Sequence, residues 1–209
     1  MSLKKFHKSI LSPEQVRLFP LLRAARRSGY YLVWGTAIAL HLGHRISIDF
    51  DLFHKHIFSP KRIDGIMERG RTRFSQLLVA RDDEVTGIVA GVKVTFFAYP
   101  FDIHAVEDFE WIIQIPDLLT LGAMKAYALG RRAKWKDYVD LYFIFQHFSL
   151  SDISKKAKTL FSGSFNEKLF REQLHYFDNI NREEVVDYIL PCPPSDREIQ
   201  DFLEKISLR

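Results

Sequence analysis

The amino-acid sequence predicts an α+β protein: a small mixed β-sheet flanked by helices, followed by a helical C-terminal region. Three observations predict this class. Apolar and polar residues alternate strictly from Arg45 to Leu52, which is typical of a half-buried strand. Two β-rich runs, 84–89 and 92–99, flank Ala90-Gly91, which predicts a hairpin. Beyond residue 116 the apolar residues recur at helical spacing.

Length and composition favour a packed protein with no membrane segment. The 209 residues include 18 Phe and are 47% hydrophobic, so we expect an α/β core over 1–115 and a helical region over 116–209 packed on it. The single Cys192 rules out a disulfide framework, and no apolar run approaches the ~20 residues of a membrane span. We therefore expect a cytoplasmic protein. The net charge of +4 is compatible with anionic partners.

Helix signals flank the predicted sheet. Ser12 and Gln15 predict a capping box for a helix that runs to about Arg27 and ends at Gly29. A strand is expected over 30–34, a helix over 60–78 and a connector over 108–116. Further helices are expected over 117–129, closed by Gly130, and over 135–148, 151–161, 166–178 and 182–189, with a capping box at Ser195 starting the last one.

The central stretch, Trp34 to Phe53, carries two paired acids. Asp49 and Asp51 share one face of the predicted strand, about 6.6 Å apart. Two adjacent carboxylates repel each other unless a cation lies between them. Oxygen ligands of this kind suit Mg²⁺ or Mn²⁺. The alternative is a pair of solvent-facing acids on an amphipathic strand.

A glycine turn precedes the acids. Gly35 and Thr36 lead into a short predicted helix, 37–42, that stops at Gly43. A helix N-terminus offers unpaired N–H groups and partial positive charge, which suit a phosphate. A phosphate cradle leading into a metal-binding strand predicts a nucleotide site.

These motifs resemble a known family. The order Gly-Thr, short helix, Gly-His-Arg turn and Asp-x-Asp resembles the polymerase-β-like nucleotidyltransferase superfamily, and within it the AbiEii/AbiGii toxin-type nucleotidyltransferases. A second matching stretch, MKAYALGRRAKWKDYVDLYFIF, runs from Met124 to Phe145. The resemblance covers most of residues 31–147.

The resemblance implies roles for the nucleotide-binding residues. Asp49 and Asp51 would hold the Mg²⁺ bound to a nucleoside triphosphate (NTP), and Gly35 and Thr36 would hold its terminal phosphates. The family also implies a third carboxylate on the strand over 92–99. The residue at that position is Thr95, which can neither bridge two metal ions nor accept a proton.

The resemblance implies further roles in the helical region. Lys125 would reach a phosphate, although an ordinary surface lysine is an equal alternative. Asp137 would position or deprotonate the acceptor, although it could instead cap its helix and pair with Arg131 or Arg132.

Other polar residues near the acids leave alternatives open. Arg45 and Ser47 are expected on the face of the acids, where Arg45 would pair with Asp49 or contact a phosphate. His41 and His44 have no partner at metal-ligand spacing, which favours packing or capping roles.

The enzymatic interpretation is a Mg²⁺-dependent nucleotidyltransferase of the AbiEii toxin type. An acceptor hydroxyl would attack the α-phosphorus of an NTP. The resemblance implies an RNA acceptor such as tRNA, together with a cognate antitoxin in a toxin–antitoxin or phage-defence system. One alternative is a catalytically degenerate nucleotide-binding or partner-binding protein with the same fold. Another is a generic RNA-binding protein.

Overall fold

The chain divides by its internal contacts into two units. A computed structural model describes residues 6–129, 131, 134–178 and 180–208. Unit 1 runs through Gly43 and resumes from Ser47 to Asp117; unit 2 comprises His44–Ile46 and the chain from Leu118 onward. The predicted helix end at Gly130 and the basic residue Arg132 lie outside the described residues. That the region 116–209 packs on a core over 1–115 stays a prediction.

The helices of unit 1 begin with a capped but interrupted segment. Ser12 and Gln15 form the predicted capping box, with each side chain bonded to the other residue's backbone N–H. The single helix expected to Arg27 is two, because Pro20 cannot donate a helical hydrogen bond and the break falls at Leu18. The helices of unit 1 are α1 (Pro13–Arg17), α2 (Phe19–Arg27), α3 (Trp34–Leu42) and α4 (Pro60–Arg69).

Seven described strands of unit 1 form one mixed sheet. They are β1 (Tyr31–Val33), β2 (Phe50–His54), β3 (Gln76–Ala80), β4 (Glu84–Val89), β5 (Val92–Ala98), β6 (Glu107–Phe109) and β7 (Ile113–Ile115). Their order is β3-β4-β5-β2-β1-β7-β6. Strand β2 is central, antiparallel to β1 and parallel to β5. The strand that carries Asp51 is therefore held on both sides.

The described strands form three antiparallel hairpins, β3–β4, β4–β5 and β6–β7, of which the sequence predicted β4–β5. At the predicted β4–β5 hairpin, Ala90 and Gly91 both take positive φ, 48° and 83°, as a tight two-residue turn requires. The connector expected over 108–116 is instead the β6–β7 hairpin. Its turn places Glu110 and Trp111 at φ 48° and 58°, and neither residue type signals such a turn.

Two further expectations for unit 1 are corrected. The helix expected over 60–78 ends at Arg69, because Gly70 follows and Arg71 takes a left-handed φ of 55°. The chain then enters β3. The strand expected from Arg45 begins only at Phe50, and Ile48, expected on the buried face, is 60% exposed.

Unit 2 is built from helices and one extended segment. Its helices are α5 (Leu118–Leu129), α6 (Trp135–Ile144), α7 (Leu150–Phe161), α8 (Glu167–His175) and α9 (Asp196–Ser207), the last opened by the predicted capping box of Ser195 and Glu198. Helix α6 ends before the expected residue 148 because the turn that follows is tightened before Ser149 caps α7. Within the residues described, no helix is both long and apolar enough to cross a membrane.

The helix expected over 182–189 is wrong. This segment is extended and pairs with His44–Ile46, which belong to the same unit. Ile46 N–H donates to the Asp187 carbonyl at 2.8 Å, and Ile189 N–H donates to the His44 carbonyl at 3.2 Å. A helix of eight residues is marginal in water by itself, and pairing with residues 44–46 competes with it.

Candidate active site

Asp49 and Asp51 both lie beside the start of α3, Asp51 through strand pairing and Asp49 through a hydrogen bond to its backbone. Asp51 lies opposite Val33 in the antiparallel β1–β2 register, and α3 begins at the next residue, Trp34. Thr36, in the first turn of α3, donates its hydroxyl hydrogen to the Asp49 carbonyl. The first amides of a helix have no intrahelical partner. The acids and a helix N-terminus therefore form one cluster within unit 1.

Two buried hydroxyl groups, those of Thr36 and Ser47, lie next to this cluster. Thr36 is 2% exposed and Ser47 is 8% exposed, and their hydroxyl oxygens lie 2.9 Å apart. Gln15 in turn donates from its amide to the Ser47 carbonyl at 2.9 Å. Ser47 was expected on the face of the acids, but residues 46–49 are not a strand, so its side chain points inward. Direct nucleotide contacts by Thr36 and Ser47 stay predictions.

The turn before α3 differs from expectation in one residue. The left-handed backbone falls on Trp34, with φ 57°, and Gly35 lies within the first helical turn. Left-handed backbone costs free energy in a bulky residue, and such strain is often found at functional sites. The end of α3 is as predicted, with Gly43 in the left-handed region at φ 66°. A side chain there would collide with His7, since an added Cβ would lie 2.5 Å from its Nδ1 atom.

The neighbouring strand β5 presents a threonine and a lysine to the acids. Thr95 lies directly beside Asp51 in the parallel register. Lys93 lies on the same face of β5, two residues earlier, and its ammonium donates to Asp49 Oδ2 at 3.3 Å. That contact puts Asp49 on the same face of the sheet as Asp51. Lys93 was missed from sequence, although period-two spacing from Thr95 could have found it.

The two carboxylates suit a magnesium-type cation. Both side chains are half-exposed, and Mg²⁺ is commonly bound by one or two carboxylates that share it with water and substrate phosphates. Among the described residues, no group of three or more His, Cys, Asp or Glu side chains could form a complete protein cage for a metal. That Asp49 and Asp51 hold such an ion stays a prediction.

Unit 2 contains a second, buried cluster of charge. Asp140 accepts hydrogen bonds from Arg45 Nε and Nη2 at 2.8 and 3.0 Å, which is a bidentate pair. The Lys125 ammonium lies 2.9 Å from Asp140 Oδ2 and also donates to Asp137. The His44 Nε2 atom lies 3.0 Å from Asp140 Oδ1. All five residues are at most 2% exposed.

Electrostatics keep this cluster balanced. Burial alone would raise the pKa of Asp140, but Arg45 and Lys125 hold the pKa of that carboxyl well below its usual range. Burial lowers the pKa of His44 and outweighs the opposing hydrogen bond to Asp140. The imidazole is therefore neutral at pH 7, and two carboxylates face two cations.

These contacts correct or narrow several expectations. The predicted pairing of Arg45 with Asp49 is wrong, because Arg45 pairs with Asp140. Asp137 bonds to Lys125, whereas Arg131 donates to the carbonyls of Tyr127 and Ser164. Lys125 is not a surface lysine. The roles proposed for Arg45, Lys125 and Asp137 toward nucleotide or acceptor stay predictions.

Both histidines are packed against aromatic rings, as expected, but the bond from His44 to the Asp140 carboxylate was not expected. His41 Nε2 lies 3.0 Å from the Pro116 carbonyl, and its ring packs against Phe6. His44 packs against Phe143 in unit 2. No third metal-ligating side chain joins either of them among the residues described.

Comparison with known proteins agrees with this architecture. The chain is 28% identical over 183 residues to the uncharacterized protein aq_aa25 of Aquifex aeolicus (strain VF5), covering 84% of this chain and 85% of that protein. Its fold is similar to that of MenT4, a nucleotidyltransferase toxin from Mycobacterium tuberculosis H37Rv. That match has a TM-score of 0.58 at 14% identity and covers 92% of this chain and 80% of the other.

The likeness to MenT4 shows a nucleotidyltransferase-like fold. A family model described as "Nucleotidyl transferase AbiEii toxin, Type IV TA system" matches residues 21–207, which is most of the chain. The matched range includes helix α3, the Asp49–Asp51 pair that follows it, and the buried cluster around Asp140. The chain therefore belongs to the AbiEii family of nucleotidyltransferase toxins from type IV toxin–antitoxin systems.

Proposed function

We propose that this chain transfers a nucleotidyl group from an NTP to a hydroxyl of RNA, with Mg²⁺ or Mn²⁺ bound at Asp49 and Asp51. The observation that carries the proposal is the cluster in unit 1. There, Asp51 pairs with Val33, the residue before α3, and Asp49 is tied to the first turn of α3 through Thr36. A triphosphate needs both a cation and amide donors, and this cluster offers sites for both.

The reaction needs positioning and charge stabilisation more than covalent chemistry from the protein. The acceptor hydroxyl oxygen forms a bond to the α-phosphorus, the bond to the β-phosphate bridging oxygen breaks, and pyrophosphate leaves. A bound divalent cation supplies Lewis-acid stabilisation of the charge on the phosphates. The amides at the start of α3 bind the terminal phosphates, and Thr36 keeps the Asp49 backbone in place for them.

The roles in unit 2 rest on the family resemblance alone. By that resemblance, Asp137 is assigned to the acceptor hydroxyl, as its proton acceptor or its positioning group, and Lys125 and Arg45 are assigned to phosphate. Because these side chains are ion-paired and buried, they act on substrate only when one of their ion pairs opens. RNA as acceptor is supported by basic residues on the exposed surface, among them Arg71, Arg73 and Arg131.

Membership of a type IV system also implies an antitoxin encoded with this toxin. When the toxin is expressed without the antitoxin, it should modify its RNA acceptor and stop the growth of the host cell. A variant without transferase activity should be tolerated at the same expression level.

The test is transfer of label to RNA. The full-length protein is incubated with Mg²⁺, each α-labelled NTP in turn and total tRNA. We expect one or more nucleotides to label the RNA and the rate to fall at least about a hundredfold in Asp49→Asn, since the cation supplies several kcal/mol of stabilisation. Asp102→Asn is the matched control, because Asp102 is an exposed acid of unit 1 that pairs with Lys55.

A second candidate function is nucleotide binding without transfer. It is favoured by Thr95, which stands beside Asp51 where a third carboxylate would complete a two-ion site. Saturable nucleotide binding that needs Asp49, with no label on any RNA, would establish this function and exclude the transferase. Salt-sensitive RNA binding that ignores Asp49 would instead point to a generic RNA-binding protein.

A further inference from the structure

Strand β5 differs in two residues from a metal site built only of carboxylates: it presents Thr95 and Lys93 to the acids. Its residues alternate, with Val92, Val94 and Phe96 buried on one face and Lys93 and Thr95 half-buried on the other. The second face is the one that carries the acids. Thr95 offers only a hydroxyl beside Asp51, and that hydroxyl lies 3.3 Å from the hydroxyl of Thr86 on β4. Lys93 places an ammonium on Asp49.

The position of Lys93 is more informative than the strength of its ion pair. Side-chain exposures of 42% for Lys93 and 31% for Asp49 make this pair a weak source of stability. However, the pair fills one side of a carboxylate that would otherwise be open to a metal ion. A second divalent cation next to Asp49 would have to displace this ammonium or sit against its charge.

The charge balance explains why such a site can still bind a triphosphate. A two-ion site with three carboxylates and two divalent cations carries one net positive charge toward its substrate. Two carboxylates, one ammonium and one divalent cation carry the same net charge. A lysine at position 93 and a threonine at position 95 together keep that charge with one carboxylate ligand and one ion fewer.

We propose that the Lys93 ammonium takes the place of a second divalent cation, so that the Asp49–Asp51 pair binds one divalent cation per chain. The inference rests on the function proposed above, because it concerns the same site. Lys93 acts here as a positioning residue: it holds Asp49 and sets the number of ions, and the proposal requires no contact between Lys93 and substrate.

The experiment counts bound Mn²⁺ by electron paramagnetic resonance on the full-length protein, alone and with a non-transferable NTP analogue. We expect one Mn²⁺ per wild-type chain. Lys93→Met should still bind one ion but on the order of fivefold more tightly in the absence of nucleotide, because a repelling unit charge is gone. Lys93→Arg should behave as wild type. The double variant Lys93→Met/Thr95→Asp should bind two ions.

The control is Lys55→Met, which removes a similarly exposed lysine of unit 1 from its pair with Asp102 and should change neither number nor affinity. Two Mn²⁺ ions per wild-type chain, none at all, or an affinity unchanged in Lys93→Met would overturn the inference. The proposed function is judged separately by label transfer to RNA. One ion with the expected Lys93 effect but no transfer would uphold the inference and reject the transferase.

Discussion

The cluster around Asp49 and the cluster around Asp140 both pair aspartates with basic side chains, but the first is half-exposed and the second is buried. In unit 1, Asp49 and Asp51 are half-exposed, and the Lys93 ammonium lies 3.3 Å from Asp49 Oδ2. In unit 2, Asp137 and Asp140 face Arg45 and Lys125 at exposures of 3% or less, and their charges cancel.

The half-exposed cluster is suited to ligand binding, whereas the buried cluster contributes to stability. A half-exposed pair in water contributes little to folding, so its carboxylates can change partner at small cost when a ligand arrives. A buried, balanced network cannot lose a member without leaving another charge unpaired in a low-dielectric interior. Substitutions in the buried cluster should therefore lower stability strongly in addition to any effect on transfer, whereas substitutions of Asp49 or Asp51 should act mainly on ligand binding.

The largest effect on stability is expected from Asp140→Asn. Loss of this carboxylate leaves Arg45 and Lys125 with Asp137 as the only acid among the five clustered residues. We expect the free energy of unfolding to fall by about 3–5 kcal/mol, measured by urea denaturation of the full chain.

The matched control for that variant is Asp102→Asn. Asp102 is 67% exposed and pairs with Lys55 at 2.7 Å, so its loss should cost less than about 1 kcal/mol. Similar losses for the two variants would show that burial does not separate the clusters.

A smaller effect is expected within unit 1 from Thr36→Val. This change keeps the shape of the side chain and removes the hydrogen bond to the Asp49 carbonyl. Unfolding should become easier by about 1–2 kcal/mol, and label transfer should also slow because the backbone of Asp49 loses its tie to α3. Thr159→Val, on the exposed surface of α7, is the control. Slower transfer without any loss of stability would contradict a purely supporting role for Thr36.

The smallest effect should be a pH dependence carried by His44. Burial holds the pKa of this imidazole below its ordinary 6.5, so the unfolded chain binds a proton at this site first as the pH falls. The stability from neutral His44 is complete above about pH 6.5 and declines below it, while Asp140 stays ionised throughout this window.

Urea unfolding at pH 7.5 and at pH 5.5 measures this contribution. Wild type should lose more stability on acidification than His44→Gln, which has no group to protonate at this position. Equal losses in the two proteins would mean that the imidazole does not contribute to the pH dependence.

Features that depend on residues close in sequence could be predicted. The capping boxes of Ser12 and Ser195 and the turn at Ala90-Gly91 join atoms within three residues of each other. The two acids could be found because strand alternation and a preceding glycine turn are also local signals. The register of β1 and β2 then places Asp51 next to the start of α3, whereas the face of Asp49 follows from its contact with Lys93.

Features that depend on distant residues could not be predicted. The bond from Lys93 to Asp49 spans 44 residues; spacing from Thr95 could have placed Lys93 on the face of the acids, but not its contact with Asp49. The extended segment over 182–189 has helix-forming residues, but its backbone pairs with residues 44–46. The β6–β7 hairpin has strands of three residues, too short for a periodic pattern, and a turn without glycine.

The pairing of Arg45 with Asp140 has a consequence for biosynthesis. The two residues are 95 positions apart, and Arg45 lies in an early part of the chain that belongs to unit 2. A ribosome therefore exposes the guanidinium long before its carboxylate is translated. Splitting the gene after codon 117 would give a C-terminal fragment without this guanidinium, so we expect that fragment not to fold by itself.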